Sequence, residues 1–156
     1  VHYVICGHGK LNEYLHELVR TLHMEHKVTF LGYREDMLEI LQIADIFLFP
    51  SYQEGLPMSL LEAMASGLPV VCSDIRGSRD LMGPVLKELP DQKQCAGGIM
   101  IKQADNTDGY AQALQTLLNA VPELKQLGQQ NVLRSNKFSI QAVSGIMQPI
   151  YQRLLS

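Results

Sequence analysis

Short apolar runs bounded by glycine and proline alternate along this chain with longer stretches whose apolar residues recur every three or four positions. The run HYVIC (2–6) predicts a buried strand that ends in Gly7-His8-Gly9. The stretch 10–25 follows, with Leu11, Leu15, Leu18, Val19 and Leu22 on one helical face. KVTFLG (27–32) predicts a second strand, and 34–44 a short helix with Met37, Leu38, Leu41 and Ile43-Ala44 turned inward. DIFLFPS (45–51) reads as a third strand, stopped by Pro50. The next helix, 57–67, has Pro57 at its start and Gly67 past its end, the usual asymmetry of helix ends. LPVVCSD (68–74) predicts a fourth strand. A glycine turn at Arg76-Gly77-Ser78, a short helical piece and a polar loop around LPDQKQCAGG lead to a fifth strand at 98–102. Helices at 107–121, 122–137 and 139–155 complete the chain.

Strands separated by helices of one to four turns imply crossover connections and a parallel sheet covered on both faces. Continuous apolar strands such as IFLF and PVV fit that arrangement better than alternating ones. The expected fold is therefore α/β, a doubly wound, Rossmann-like parallel sheet. In such sheets ligands bind beyond the carboxyl ends of the strands. Loops 7–10, 32–34, 50–57 and 74–79 are all such ends.

With 156 residues the chain has the length of one domain, and opening on a strand without Met suggests a piece of a larger enzyme. The composition, 46% hydrophobic and 19% charged, is that of an ordinary globular protein. A formal charge of -3 argues against nucleic acid as a partner, which calls for a basic stripe. No run of 18 apolar residues predicts a spanning helix. Cys6, Cys72 and Cys95 share no metal or disulfide spacing, which suits a reducing cytoplasm, and Cys6 and Cys72, inside apolar runs, read as small core residues.

The chemistry concentrates in SYQEGLPMSLLEAMASGLPVV, 51–71. Glu54 lies in the loop after the third strand. Pro57 starts a helix whose positive end gathers backbone N–H groups around Gly55, Leu56, Met58 and Ser59, a ready anion site. Glu62 falls roughly 7 Å along the helix axis, at 1.5 Å per residue. Carboxylates suit vicinal hydroxyls because each oxygen accepts two hydrogen bonds. Two carboxylates flanking a phosphate site match the layout of a nucleotide sugar. Against this, most glutamates are simply solvated. Glu62, flanked by Leu60, Leu61, Ala63 and Met64, is nevertheless expected to need a partner.

EGLPMSLLEAMASGLPVV is similar to the E-x7-E signature of the family 4 glycosyltransferases, retaining enzymes of the GT-B fold. ADIFLFPS before it and FS…IY..LL at the end extend the likeness over essentially the whole chain, as the C-terminal half of such an enzyme. SDIRGSRDLM most resembles enzymes of bacterial capsular polysaccharide and exopolysaccharide synthesis. The resemblance implies a single donor-binding domain (1–156) that transfers a hexose, with retention, from a UDP- or GDP-sugar to a glycan or lipid-linked acceptor. It assigns the transferred sugar to Glu54 as the catalytic position and the ribose to Glu62. Backbone amides of Leu56, Met58 and Ser59, beside Gly55, would hold the diphosphate. Gly32, Tyr33 and Arg34 would line the base, and Gly7 and Gly9 the approach to the donor. No metal or cofactor is implied, and nucleic acid is not a partner.

The acceptor-binding N-terminal domain, and the Arg and Lys that neutralise the diphosphate in this family, are expected upstream of the first residue. The isolated domain should then bind donor and turn over little. The expected location is the cytoplasm, at the inner face of the plasma membrane where the missing domain reaches it. Two readings are open for Arg76 and Arg79: charge for an anionic substrate, or pairing with Asp74 and Asp80. His16, His23 and His26 read as surface residues, and His8 either touches a phosphate or faces solvent. Gly7-His8-Gly9 lacks the rest of a dinucleotide fingerprint. Two rivals remain, a sugar-nucleotide epimerase of the same fold and a non-catalytic scaffold of a polysaccharide assembly complex.

Overall fold

The computed structural model describes residues 1–155. Its contacts divide the chain into two compact units, Val1–Glu39 and Ile40–Ser156.

In the first unit, β1 (Tyr3–Cys6) and β2 (Val28–Gly32) pair in parallel and are joined through α1 (Asn12–Thr21). The register sets Tyr3 opposite Val28 and Cys6 opposite Gly32, with an irregularity between Ile5 and Cys6. α1 is shorter than its apolar pattern predicts, because the chain turns at His23, where φ is +53°. Leu11, Leu18 and Leu22 are exposed, while Leu15, His16 and Val19 are half-buried. The His16 ring lies 4.0 Å from that of Phe30, so this histidine packs on β2 and is not the free surface residue expected. α2 (Met37–Gln42) buries Leu41 but leaves Leu38 and Ile43 exposed, against the inward face predicted for them.

The second unit holds a five-stranded sheet in the order β3-β4-β7-β6-β5. β3 (Phe47–Phe49), β4 (Val70–Ser73) and β7 (Gly98–Ile101) run parallel, as predicted for a doubly wound fold. β5 (Val85–Glu88) and β6 (Gln92–Cys95) add an antiparallel hairpin at one edge. The sequence suggested a polar loop there. QKQC carries no apolar run, and β5 is exposed throughout, so pairing with β7 rather than periodicity makes these strands. The strands therefore form two hydrogen-bonded sheets among the described residues, not one wholly parallel sheet.

Side-chain alternation along β4 and β7 divides the core of the second unit. Val70, Cys72 and Met100 pack with Leu60 and Met64 of α3 (Met58–Ala65) and with Leu81 and Met82 of α4 (Arg76–Met82). Val71, Ile99 and Ile101 pack with Tyr110, Ala113 and Leu117 of α5 (Thr107–Asn119). Both faces of the sheet are thus covered. α6 (Val121–Ser135) crosses the turn after α3 at Gly128, and its buried Asn131 donates to the carbonyls of Leu68 at 2.7 Å and Gly97 at 2.9 Å. A 3-10 turn (Asn136–Phe138) leads into α7 (Ile140–Leu155), which contains Pro149 and buries no residue fully. No helix among the described residues is long and apolar enough to cross a membrane.

Candidate functional site

β3 ends at Phe49, and Pro50 carries the chain out of the sheet into the 50–57 loop. In that loop Ser51 Oγ donates to Glu54 Oε1 at 2.8 Å. The half-buried carboxylate of Glu54 is thus fixed from within its own loop, while its second oxygen makes no hydrogen bond among the described residues. Gly55 and Leu56 are exposed. Pro57, with φ -74° and ψ 106°, is the N-cap of α3, and Leu61 N–H donates to its carbonyl at 3.1 Å.

No side chain caps α3, and its first turn carries no acidic residue. The first N–H groups of a helix have no partner within it, so those of Met58 and Ser59 remain open to an anion at the positive end of the dipole. Met58 and Ser59 are themselves exposed. Leu60, Ala63 and Met64 face the core at 0% exposure, which turns Glu62 to solvent. Glu62 makes no side-chain hydrogen bond or ion pair among the described residues. Solvent meets the need for a partner in this structure, because the helix is apolar on one side only.

Behind this loop stands α4. Where a glycine turn was expected, Gly77 lies in the helix's first turn and is buried. A Cβ there would lie 2.5 Å from the Gly55 carbonyl oxygen, and 3.0 Å from both the Glu54 carbonyl oxygen and Pro57 Cδ. Only a glycine lets α4 approach the loop so closely. Asp74, between β4 and α4, has a side chain 4% exposed and binds two cations, Arg79 Nε at 2.6 Å and Lys93 Nζ at 2.7 Å. Arg79 Nη2 also donates to the Asp74 carbonyl at 2.8 Å. Burial pushes the Asp74 carboxyl up, but the hydrogen bonds from Arg79 and Lys93 outweigh it and hold it below the usual carboxylate range. Arg79 is therefore a paired residue, while Arg76 is exposed and has no ion-pair partner among the described residues.

In the first unit, Gly7 and Gly32 meet at the carboxyl ends of β1 and β2, Gly7 N–H donating to the Gly32 carbonyl at 2.7 Å. Both have positive φ, +119° and +64°. The His8 ring lies 3.5 Å from where a Gly32 Cβ would stand. Gly9 is exposed with open space around it, and Tyr33 is exposed too. Arg34 Nε donates to Asp36 at 2.7 Å, so its guanidinium has a local partner that the sequence reading did not foresee. That bond raises the Arg34 pKa and lowers that of Asp36.

The predicted residues thus fall into two groups, Glu54, Gly55, Leu56, Met58, Ser59 and Glu62 in one unit, and Gly7, Gly9, Gly32, Tyr33 and Arg34 in the other. Ser51, Gly77 and Lys93 were missed. Ser51 stands three residues before Glu54 and could have been read as its donor. Lys93 gave no signal, since it reaches Asp74 only through the unforeseen hairpin.

The model of the family described as "Glycosyl transferases group 1" matches residues 1–120. The chain belongs to this family. Among curated relatives, the UDP-Gal:α-D-GlcNAc-diphosphoundecaprenol α-1,3-galactosyltransferase of Escherichia coli is 36% identical over 81 residues, 51% of this chain and 21% of that protein. The putative glycosyltransferase EpsD of Bacillus subtilis is 28% identical over 136 residues, 87% of this chain and 33% of its own length. The chain thus spans about a fifth to a third of these glycosyltransferases. In fold it is similar to the pneumococcal O-GlcNAc transferase GtfA, solved with UDP and GlcNAc, at a TM-score of 0.80 and 19% identity, covering 99% of this chain and 30% of that one. The α/β architecture is that of GT-B glycosyltransferases.

Proposed function

We propose that residues 1–156 form the nucleotide-sugar-binding domain of a retaining hexosyltransferase that builds a bacterial cell-surface glycan on a lipid-linked acceptor. One observation carries this reading: α3 has an uncapped, acid-free N-terminus, with Glu54 fixed by Ser51 before it and Glu62 exposed in its second turn, without a side-chain partner among the described residues. The N–H groups at the helix start suit a diphosphate, whose charge grows as it leaves the sugar. Glu62, open to solvent, is available to ribose hydroxyls, and Glu54 to the transferred hexose. The E. coli relative's UDP-Gal donor and diphosphoundecaprenol acceptor support a UDP-sugar and a lipid-linked acceptor here. In the first unit, Gly7, Gly9, Gly32, Tyr33 and Arg34 are assigned to nucleotide contact by the resemblance alone, Tyr33 and its neighbours to the base.

On this reading the domain works in the cytoplasm with an acceptor-binding domain at the inner face of the plasma membrane. The exposed apolar residues of α7, among them Ile140, Ile146 and Leu154, are suited to such a partner. Alone, the chain binds donor and transfers little. Titration calorimetry with UDP and a UDP-hexose tests the division of labour. Glu62→Ala weakens UDP binding about tenfold, the worth of one good hydrogen bond. Glu54→Ala leaves UDP binding unchanged and weakens the UDP-hexose. Equal effects on UDP would refute the assignment, and no UDP binding by the unaltered chain would favour the scaffold reading.

A further inference from the structure

Among the described residues Asp74 is the only buried charged side chain, and it lies where β4 passes into α4. A buried ion pair is a poor source of stability, because removing both charges from water offsets most of their attraction. Its effect here is geometric. Asp74 ties together the end of β4, the second turn of α4 through Arg79 and the hairpin strand β6 through Lys93. Arg79 grips both the carboxylate and the main-chain carbonyl of Asp74, and its own N–H donates to the Ile75 carbonyl at 3.0 Å. The start of α4 therefore cannot slide along β4 without breaking the two bonds from Arg79 to Asp74. On that fixed turn sits Gly77, against the carbonyls of Glu54 and Gly55.

We infer that Asp74, Arg79 and Gly77 are positioning residues of the donor site. The ion pair locks α4, and α4 backs the Glu54–Pro57 loop so that the N–H groups around Leu56, Met58 and Ser59 keep the spacing a diphosphate requires. None of the three needs to touch the ligand. A methyl group on Gly77 displaces loop backbone rather than a flexible side chain. Loss of Arg79 frees α4 to move away. The inference rests on the donor reading of this loop.

The test is calorimetric titration of UDP into the chain and its variants. In Arg79→Met the buried Asp74 carboxylate keeps Lys93, so the variant stays folded with a modestly lower melting temperature. It nevertheless lowers UDP affinity about tenfold, as does Gly77→Ala, and the double variant loses no more than about twofold beyond the weaker single, because both act through one contact. Additive losses, or UDP affinity unchanged by Arg79→Met, overturn the inference while leaving the donor reading intact. Failure of the unaltered chain to bind UDP overturns both. A second comparison separates positioning from bulk stability. Asp74→Asn leaves Lys93 unpaired, and adding Lys93→Met restores the melting temperature. Affinity stays low in that pair, since Arg79 keeps only the main-chain carbonyl and a weaker, uncharged side-chain acceptor at position 74. An affinity that recovers together with the melting temperature overturns the inference.

Discussion

A Cβ on Gly128 would lie 2.0 Å from the Gly67 carbonyl oxygen, which is how α6 comes to rest on the turn after α3. Gly128→Ala should therefore force two backbones apart and cost about 1–3 kcal/mol, read as a lower denaturant midpoint with unchanged slope. Titration at Asp74 gives a second expectation. A carboxyl held low in the folded state contributes stability that is complete above its unfolded pKa and is lost as pH falls through the folded value. The melting-temperature difference between the wild type and Asp74→Asn should thus stay constant from neutral pH to about 5 and shrink below about 4. The thiols behave differently. Burial pushes Cys72 up to about 12 and Cys95 to about 11. Neither should react with a thiol reagent at neutral pH until the protein unfolds, as counted by mass spectrometry.

At the scale of elements, legibility followed apolar content. β4 and α3 were readable because PVV is a continuous apolar run and LLEAMASG has helical periodicity with a glycine stop. The hairpin β5–β6 was not, because its residues are polar and its strands exist by pairing to β7. That difference should appear in hydrogen exchange. Amides of β4 and β7, central and fully buried, should be the slowest in the chain, and those of exposed β5 among the fastest. Similar protection in β4 and β5 would contradict the strand order.

For the whole molecule, burial is uneven. No residue in 1–39 is fully buried, whereas the described residues of the second unit form three apolar clusters, two of them on opposite faces of one sheet. If UDP binds the folded chain alone, mass action must raise its stability by about 2.7 kcal/mol at a hundred times Kd. A melting temperature that rises with the logarithm of UDP concentration, and does not rise with uridine, is the expected result, since the diphosphate supplies the contact to α3.

The sequence by itself determined the alternation of strands and helices, the family, and the placing of Glu54 and Glu62 on one loop and one helix. These features are local: apolar spacing and glycine or proline at element ends act over a few residues. Only the tertiary structure decided that Glu62 faces solvent, that Ser51 holds Glu54, that Arg79 and Lys93 share the Asp74 carboxylate and that Gly77 abuts the Glu54 loop. Two of these, Lys93 with Asp74 and Gly77 with the Glu54 loop, join residues more than fifteen positions apart, where contact depends on how the sheet is ordered and its faces are covered. Residue letters encode which side chains can pair, but the packing of α4 against the loop chooses which of them do.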